Sequence, residues 1–426
     1  DAAEAHFRRA LAANASHGEA LNNLGCLLRD KGEAEEAERQ FRLALERAPG
    51  LAPAYFNLAS LLRVQDRLPE ALTVLREAAA RFPDATKILV ALGEALRETT
   101  LYDESIAALE AALRLDPSLP EPYVQMGLIL QEKKEPERAI PLYQEALELD
   151  PENLDARHNL ALCLHDVDQV QEAERMLLEL RAQYPEKAAV FNLNLGNVYH
   201  YGGRYEEALA CFEEALAATP ALVEGHVNRG FMRLLLGDLP EGFREYEWRL
   251  WFKEMEVQRP CMEKYHWEPG MPLAGKTVLL HTEQGFGDMI QFIRYAPLVA
   301  AQGATVLFDC LAEQRSLLAG VPGITRLQEL ETAQDIDICC PVMSLPYLFG
   351  TTLQTIPAEV PYIFVDEATR EKWAARVGAV HGRPKVGLVW GTNPQNRIAR
   401  YKSTTLETFL PLAALGDEVE FYSLQK

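Results

Sequence analysis

The stretch Leu24–Pro49, LGCLLRDKGEAEEAERQFRLALERAP, decides the fold of the N-terminal part of this 426-residue chain, because its pattern returns at a fixed step. The pattern is a Leu-Gly pair, a small residue twelve positions after the glycine, a large apolar residue four further on, and a closing proline. The pair or a close variant recurs at Leu24-Gly25, Leu58-Ala59, Leu92-Gly93, Met126-Gly127, Leu160-Ala161, Leu195-Gly196 and Arg229-Gly230. The steps are 34, 34, 34, 34, 35 and 34 residues. Such a period predicts a helical-repeat array.

The chemistry of the repeated positions predicts two packed helices in each unit. The small residue twelve positions after each glycine lets the two helices approach closely, and the large apolar residue fills the space between them. A proline cannot continue a helix, so it closes the unit. The small residues are Ala37, Ala71, Ser105, Ala139, Ala173, Ala208 and Gly242; the large ones are Phe41, Leu75, Leu109, Tyr143, Leu177, Phe212 and Tyr246; the prolines are Pro49, Pro83, Pro117, Pro151, Pro185 and Pro220.

This pattern resembles the tetratricopeptide repeat (TPR) family, and the resemblance implies an α superhelix with a concave groove. We assign residues 1–256 to the array. Full repeats occupy 18–51, 52–85, 86–119, 120–153, 154–187 and 189–222. A partial repeat precedes them and a degenerate repeat, 223–256, follows them, so we expect the chain to be a fragment that opens within a repeat.

A column of amides precedes the Leu-Gly pairs, and in the TPR family this position faces the groove. The column consists of Asn23, Asn57, Gln125, Asn159, Asn194 and Asn228, with Ala91 interrupting it. Each amide offers a donor and an acceptor, which suits the backbone of an extended peptide. O-GlcNAc transferase carries a similar asparagine ladder. The alternative is that these amides only bond to a neighbouring helix.

The charge of the chain favours protein or peptide partners over nucleic acid. The net charge is −21, and residues 1–270 hold 47 acidic and 29 basic residues. Nucleic-acid binding requires an excess of Lys and Arg, whereas a basic or polar peptide fits an acidic array. The charge is equally expected of a long array that must stay dissolved.

No apolar run is long enough for a membrane span, and the N-terminus is not a signal peptide. The seven cysteines show no metal-ligand spacing, so we expect no metal and no cofactor, and a reducing, cytoplasmic setting. We interpret Cys339 and Cys340 as buried apolar filler, with redox chemistry as the alternative.

A different pattern begins after a connector at 257–275. The run Lys276–Asp288, KTVLLHTEQGFGD, is an apolar strand, a turn with two glycines and the start of a helix, which is typical of a ligand-binding α/β lobe. We predict strands at Thr277–His281, Thr305–Cys310, Ile336–Cys340 and Tyr362–Val365, separated by helices. Residues 276–380 therefore form a first α/β lobe, and 381–426 form the incomplete start of a second one.

Local chemistry leaves two roles open for Asp288 and two for the basic cluster near the C-terminus. Asp288 can cap the following helix or act as a general base. Arg400 and Lys402 follow the turn at 391–394 and either meet a phosphate or lie in a solvated loop.

The runs HTEQGFGDMIQFIRYAPL, CPVMSLPYLFGT and VGLVWGTNP resemble bacterial TPR proteins with a C-terminal region similar to the family 9 heptosyltransferases. The resemblance implies a two-lobed, Rossmann-like GT-B fold and inverting sugar transfer from a nucleotide sugar, without a metal. It implies Asp288 as catalytic base. The residues implied to bind the donor phosphates are Gly285, Gly287, Thr392, Asn393, Arg400 and Lys402.

The leading hypothesis is a TPR-guided glycosyltransferase that receives a protein or glycan acceptor from the groove. Since residues 381–426 supply little of a donor lobe, we expect the fragment itself to be inactive. The alternative is a non-catalytic TPR scaffold for protein–protein interaction. A third hypothesis is a helical-repeat assembly factor for surface or flagellar structures.

Overall fold

The computed structural model describes residues 2–14, 17–255, 259–283, 285–310, 312–328, 335–378, 383–391 and 403–424. The chain divides into two compact units, Asp1–Glu256 and Val257–Lys426.

The N-terminal unit is a run of helix pairs that follows the 34-residue step of the sequence. It begins with the single helix α1, Ala2–Ala13. The first helices of the pairs are α2 Gly18–Asp30, α4 Ala52–Val64, α6 Thr86–Glu98, α8 Pro120–Glu132, α10 Leu154–Asp166, α12 Ala188–Tyr201 and α14 Val223–Leu235. The second helices are α3 Ala34–Arg47, α5 Leu68–Arg81, α7 Tyr102–Leu115, α9 Pro136–Leu149, α11 Val170–Gln183, α13 Tyr205–Ala218 and α15 Leu239–Tyr246. Short 3-10 turns occupy Pro185–Lys187, Glu247–Trp251 and Lys253–Met255. The predicted helical-repeat array of about 250 residues is confirmed.

Each pair is held by the large residue of the second helix, which lies against the small residue of the first. A Cβ atom added at Gly25 would lie 2.6 Å from Cε1 of Phe41, and one at Gly196 would lie 2.4 Å from Cε1 of Phe212. Both phenylalanines are fully buried. The glycines are therefore required by close approach of a ring, not by backbone conformation.

The array curves with its first helices on the inner side. The backbones of successive first helices come close, as in α2 with α4, α4 with α6, α6 with α8, α8 with α10 and α12 with α14. Successive second helices approach one another less closely. The exposed side of the first helices is therefore the inner face of the array.

The C-terminal unit contains a four-stranded parallel sheet in the order β3-β2-β1-β4. Its strands are β1 Thr277–His281, β2 Thr305–Asp309, β3 Arg326–Gln328 and β4 Ile338–Pro341. The helices of this unit are α16 Arg259–Lys264, α17 Phe286–Phe292, α18 Ala296–Ala301, α19 Arg315–Leu318, α20 Leu345–Leu348 and α21 Glu367–Val377. The remaining 3-10 segments are Ile293–Tyr295, Ala312–Gln314, Val342–Ser344 and Leu406–Glu418. β1 and β4 are buried between helical segments, as a parallel sheet requires.

A separate pair of parallel strands, β5 Lys385–Leu388 and β6 Glu420–Ser423, follows the four-stranded sheet. The described residues thus contain a sheet of four strands and a sheet of two. These few strands do not confirm the Rossmann-like GT-B lobe predicted for residues 276–380.

The predicted strand Tyr362–Val365 is wrong. Arg294 holds this segment through side chains instead, because its guanidinium donates to the Tyr362 hydroxyl at 2.9 Å and lies 4.4 Å from the centre of that ring. Val365 is 56% exposed, unlike the buried residues of β1 and β4. The short strand β3 was not predicted.

The expectation that Cys339 is a free apolar filler is also wrong. Cys339 is joined to Cys261 of α16 in a disulfide, with their Cα atoms 6.1 Å apart, a separation that suits this bond. Cys340 is buried and is not part of this disulfide; its Sγ donates to the carbonyl oxygen of Pro341 at 3.3 Å.

Candidate functional site

The amide column predicted from the sequence lies along the first helices, one member in each of α2, α4, α8, α10, α12 and α14. Asn23 is exposed, and the other members are half-buried. They occupy equivalent places, because the helices repeat with the same geometry. The column is therefore regularly spaced along the inner layer of the array.

Three members of the column bind side chains of the preceding first helix. Nδ2 of Asn57 donates to Oδ1 of Asn22 at 2.9 Å, and Nδ2 of Asn228 donates to Oδ1 of Asn197 at 3.0 Å. Nδ2 of Asn194 lies 2.7 Å from Nε2 of His158. These bonds brace neighbouring repeats, which is the structural role that the sequence left open.

The other members of the amide column use part of their hydrogen-bonding capacity on residues of the array. Gln125 accepts a bond from Nε of Arg97 at 3.0 Å. Asn159 donates to the carbonyl oxygen of Asp155, one turn earlier in its own helix, at 2.8 Å. Asn23 accepts from Asn22 at 3.3 Å. Since an amide has two donors and an acceptor with two lone pairs, each of these retains groups for a further partner.

A second column lies at the C-terminal ends of the first helices, and sequence reasoning missed it. We call it the helix-end column; it contains Arg29, Arg63, Arg97, Gln131, His165 and His200. These residues follow one another at the same steps as the Leu-Gly pairs, four residues after each small residue. The repeat period was therefore the signal that would have found them.

The character of the helix-end column changes along the array. Arg63 binds Glu94 at 2.7 Å and Glu98 at 2.6 Å, both in the next first helix. Arg97 likewise binds Glu132 of α8. Ion pairs between repeats therefore occupy this edge of the inner face in its N-terminal half.

Aromatic rings replace the ion pairs in the fifth and sixth full repeats. The ring cluster consists of His165, His200, Tyr201 and Tyr205. The ring of Tyr201 lies 5.5 Å from that of His165 and is stacked on that of His200 at 4.8 Å, and Tyr205 lies 6.3 Å from His200. His200 and both tyrosines are half-buried.

Burial lowers the pKa of His200 and of His158 below the ordinary histidine value. Burial therefore favours the neutral form of both rings. A neutral ring is consistent with the contact of His158, whose Nε2 accepts a bond from the Asn194 amide.

The carboxyl end of β1 is where the sequence placed the catalytic base, and the structure brings Gly285, Gly287 and Asp288 together there. Helix α17 begins at Phe286, so Asp288 occupies its first turn, where a carboxylate is favoured. A Cβ atom added at Gly287 would meet nothing within 4 Å. The space beside this turn is therefore open.

The remaining residues of the predicted donor site, Thr392, Asn393, Arg400 and Lys402, lie outside the described residues. Within the described part of the chain, no group of His, Cys, Asp and Glu side chains is arranged to hold a metal ion. No helix among the described residues is both long and apolar enough to cross a membrane.

Comparison with known families supports the repeat array. Family models described as "Tetratricopeptide repeat" match residues 1–52, 56–120 and 130–195, and a model described as "TPR repeat" matches residues 196–237. These matches end before the α/β unit, and they give no support to the predicted glycosyltransferase resemblance.

One curated relative is Protein FlbA of Caulobacter vibrioides, which is 23% identical over 294 residues. The alignment covers 56% of this chain and 49% of that protein. The chain thus spans about half the length of the curated relative it matches.

Two solved structures are among those to which this chain is similar. A tetratricopeptide repeat protein from Parabacteroides merdae ATCC 43184 is 19% identical, with a TM-score of 0.48 over 57% of this chain and 96% of that one. YrrB, described as a TPR protein with an unusual peptide-binding site, is 26% identical, with a TM-score of 0.35 over 43% of this chain and 95% of that one.

Proposed function

Because residues 1–237 of this chain form a tetratricopeptide-repeat array, we propose that the protein is an interaction scaffold that holds an extended segment of a partner protein along its inner face. The observation that carries this proposal is the regular amide column on that face. Peptide backbones present one donor and one acceptor per residue, and spaced amides match both.

The contacts of the column show which members are suited to this role. Asn159 spends one donor on its own helix, and its side-chain oxygen accepts no hydrogen bond from the described residues. Asn194 donates to His158 through Nδ2, and among the described residues its side-chain oxygen accepts no hydrogen bond. A peptide can therefore bind at these two positions without breaking the hydrogen bonds that Asn159 and Asn194 make within the array.

We expect the double variant Asn159→Ala with Asn194→Ala to bind peptide about tenfold to a hundredfold more weakly, because one or more hydrogen bonds to a desolvated backbone are lost. The probe is a peptide selected by the unchanged chain from a displayed random library, and the measurement is its Kd by fluorescence anisotropy. The matched control is Gln144→Ala, which removes an exposed amide from the outer helix α9.

Thermal unfolding of the same variants separates the two roles of the column. Lost affinity with an unchanged Tm supports peptide contact. Unchanged affinity with a lowered Tm means that the amides only brace the repeats, and the peptide-holding role is then wrong.

We infer a second, enzymatic candidate function for the C-terminal unit: transfer of a sugar from a nucleotide sugar. What supports it is the position of Asp288 beside an open glycine turn at the carboxyl end of a parallel strand, where α/β sheets bind ligands. Asp288 would remove the proton of the acceptor hydroxyl. The scaffold function does not depend on this activity.

The complete gene product is the material for testing the enzymatic candidate. We expect it to release nucleoside diphosphate from at least one of a panel of nucleotide sugars, and Asp288→Asn to lower turnover by about a hundredfold or more, since general bases contribute on that order. Equal release by the unchanged and Asp288→Asn proteins would exclude Asp288 as the base. Absence of release from every donor would leave the C-terminal unit as a binding or packing unit.

A further inference from the structure

The two halves of the repeat array differ in charge. Residues 18–119, the first three full repeats, hold 17 acidic and 12 basic residues, a net charge of −5. Residues 120–222, the last three, hold 19 acidic and 8 basic residues, a net charge of −11. The second half is therefore the part of the array that attracts cations most strongly.

In the first half of the array, arginines of the first helices form ion pairs with glutamates of the next first helix. Arg63 lies between Glu94 and Glu98, and Arg97 binds both Glu132 and Gln125. The carboxylates of Glu94, Glu98 and Glu132 are therefore already paired with arginine, which leaves them less available to the cationic side chains of a bound segment.

The first helices of the second half present almost no positive charge. Helices α8 and α12 contain no Lys or Arg. The one arginine of α10, Arg157, is directed to the following second helix, where its Nη1 donates to Oε1 of Gln183 at 2.7 Å.

Acidic groups and rings replace the arginines on these helices. Glu121 and Asp155 are exposed, and neither carboxylate has an ion-pair partner among the described residues. Three members of the ring cluster, His165, His200 and Tyr201, lie on α10 and α12, and the fourth, Tyr205, begins α13; both tyrosines are half-buried. Carboxylates and tyrosine faces are the two groups that bind ammonium and guanidinium ions.

We propose that the inner face of repeats four to six, built from α8, α10 and α12, binds an extended peptide segment rich in Lys and Arg. This inference rests on the proposed scaffold function and specifies the partner. The cationic side chains lie against the carboxylates at 121 and 155 and on the ring cluster. The amides of Asn159 and Asn194 hold the backbone between them.

Three peptides of equal length test the proposal on the complete chain: one alternating Lys and Arg with Ser, one alternating Asp and Glu with Ser, and one containing Gln and Ser only. We expect the basic peptide to bind at least about tenfold tighter than the neutral one at low salt, and this advantage to shrink at about 0.5 M salt, where charges are screened. The acidic peptide should not bind.

The site is tested with Glu121→Gln combined with Asp155→Asn, and separately with Tyr201→Leu. Each should weaken the basic peptide about threefold to tenfold, because a few exposed charges or one ring contribute modestly. The matched control is Glu145→Gln with Glu148→Gln, which removes the same charge from the exposed side of α9. Circular dichroism establishes that each variant is folded.

The outcomes distinguish this inference from the scaffold proposal. If the neutral or acidic peptide binds as tightly as the basic one, the scaffold stands and the basic preference is overturned. If the control pair weakens the basic peptide as much as the inner-face pair, the assigned site is overturned. If none of these peptides and no library peptide binds, both proposals fail.

Discussion

Replacing Gly196 by alanine is expected to destabilise the sixth full repeat by about 1–3 kcal/mol, the usual cost of overpacking a filled core. The added Cβ atom would lie 2.4 Å from Cε1 and 2.7 Å from Cδ1 of Phe212, whose ring is fully buried. Alanine is ordinarily the better helix residue by about 1 kcal/mol. The prediction therefore reverses the sign that helix propensity alone would give.

The chain itself indicates how the defect can be repaired. Repeats two and five carry alanine at the equivalent place, Ala59 and Ala161, and there the large residue is Leu75 or Leu177 instead of a ring. We expect Phe212→Leu to recover part of the stability lost in Gly196→Ala. A double-mutant cycle would show this as a coupling between the two sites.

Native-state hydrogen exchange in α12 and α13 is the appropriate measurement, because long repeat arrays do not unfold in one step. The control is Gly50→Ala, since a Cβ atom there would meet nothing within 4 Å. Protection that is unchanged or higher in Gly196→Ala would mean that the ring does not fix the spacing of the two helices.

Replacing Glu245 by glutamine is expected to cost about 3 kcal/mol, as is usual when one partner of a buried ion pair is removed. Glu245 of α15 is 2% exposed. Its Oε2 lies 2.6 Å from Nη2 of Arg229 and 2.7 Å from Nδ1 of His226. The His226 ring is stacked on that of Trp248 at 3.8 Å. The variant would leave a positive group without its carboxylate beneath the last repeat.

The same carboxylate makes stability depend on pH. Burial acts to raise the pKa of Glu245, but hydrogen bonds from His226 and Arg229 outweigh it and hold the pKa below its ordinary value. A group whose pKa is lowered by folding stabilises the folded state above its unfolded pKa, about 4.3 for glutamate. That contribution is lost as the pH falls through the lower, folded value.

The measurement is the acid unfolding of the unchanged protein and of Glu245→Gln. The near-ultraviolet circular dichroism of the tryptophans reports the unfolding of each protein. The variant should be less stable at pH 7, and its stability should fall less steeply below about pH 4. Glu241→Gln removes an exposed carboxylate one turn earlier and should cost less than about 1 kcal/mol. Equal losses in the two variants would contradict a special role for the buried carboxylate.

The repeat array could be predicted from the sequence because its decisive contacts are local. Gly25 and Phe41, or Gly196 and Phe212, are sixteen residues apart in every register, so one period encodes the whole packing scheme. The amide column follows from the same period. The helix-end column could have been predicted from the same period. Its members change from arginine to histidine along the array, so a search for identical residues does not find it.

The C-terminal unit was less predictable because its contacts are distant. Strand β1 pairs with β2 and with β4. The side chains of Lys276 and Asp337 are 3.3 Å apart although 61 residues separate them in the sequence. No periodic pattern in the sequence indicates such contacts. Tyr362–Val365 has the composition of a strand, yet Arg294, 68 residues away from Tyr362, holds it in another conformation. Cys261 and Cys339 are likewise brought together only by the fold.

Site-specific photo-crosslinking tests most directly whether a partner segment lies on the inner face. Asn159→p-benzoylphenylalanine places the reactive group on α10, and Gln144→p-benzoylphenylalanine places it on the outer helix α9. With the library-selected peptide, we expect strong crosslinking from position 159, competed away by unlabelled peptide, and little from position 144. Crosslinking that is equal at both positions, or confined to position 144, would contradict the account.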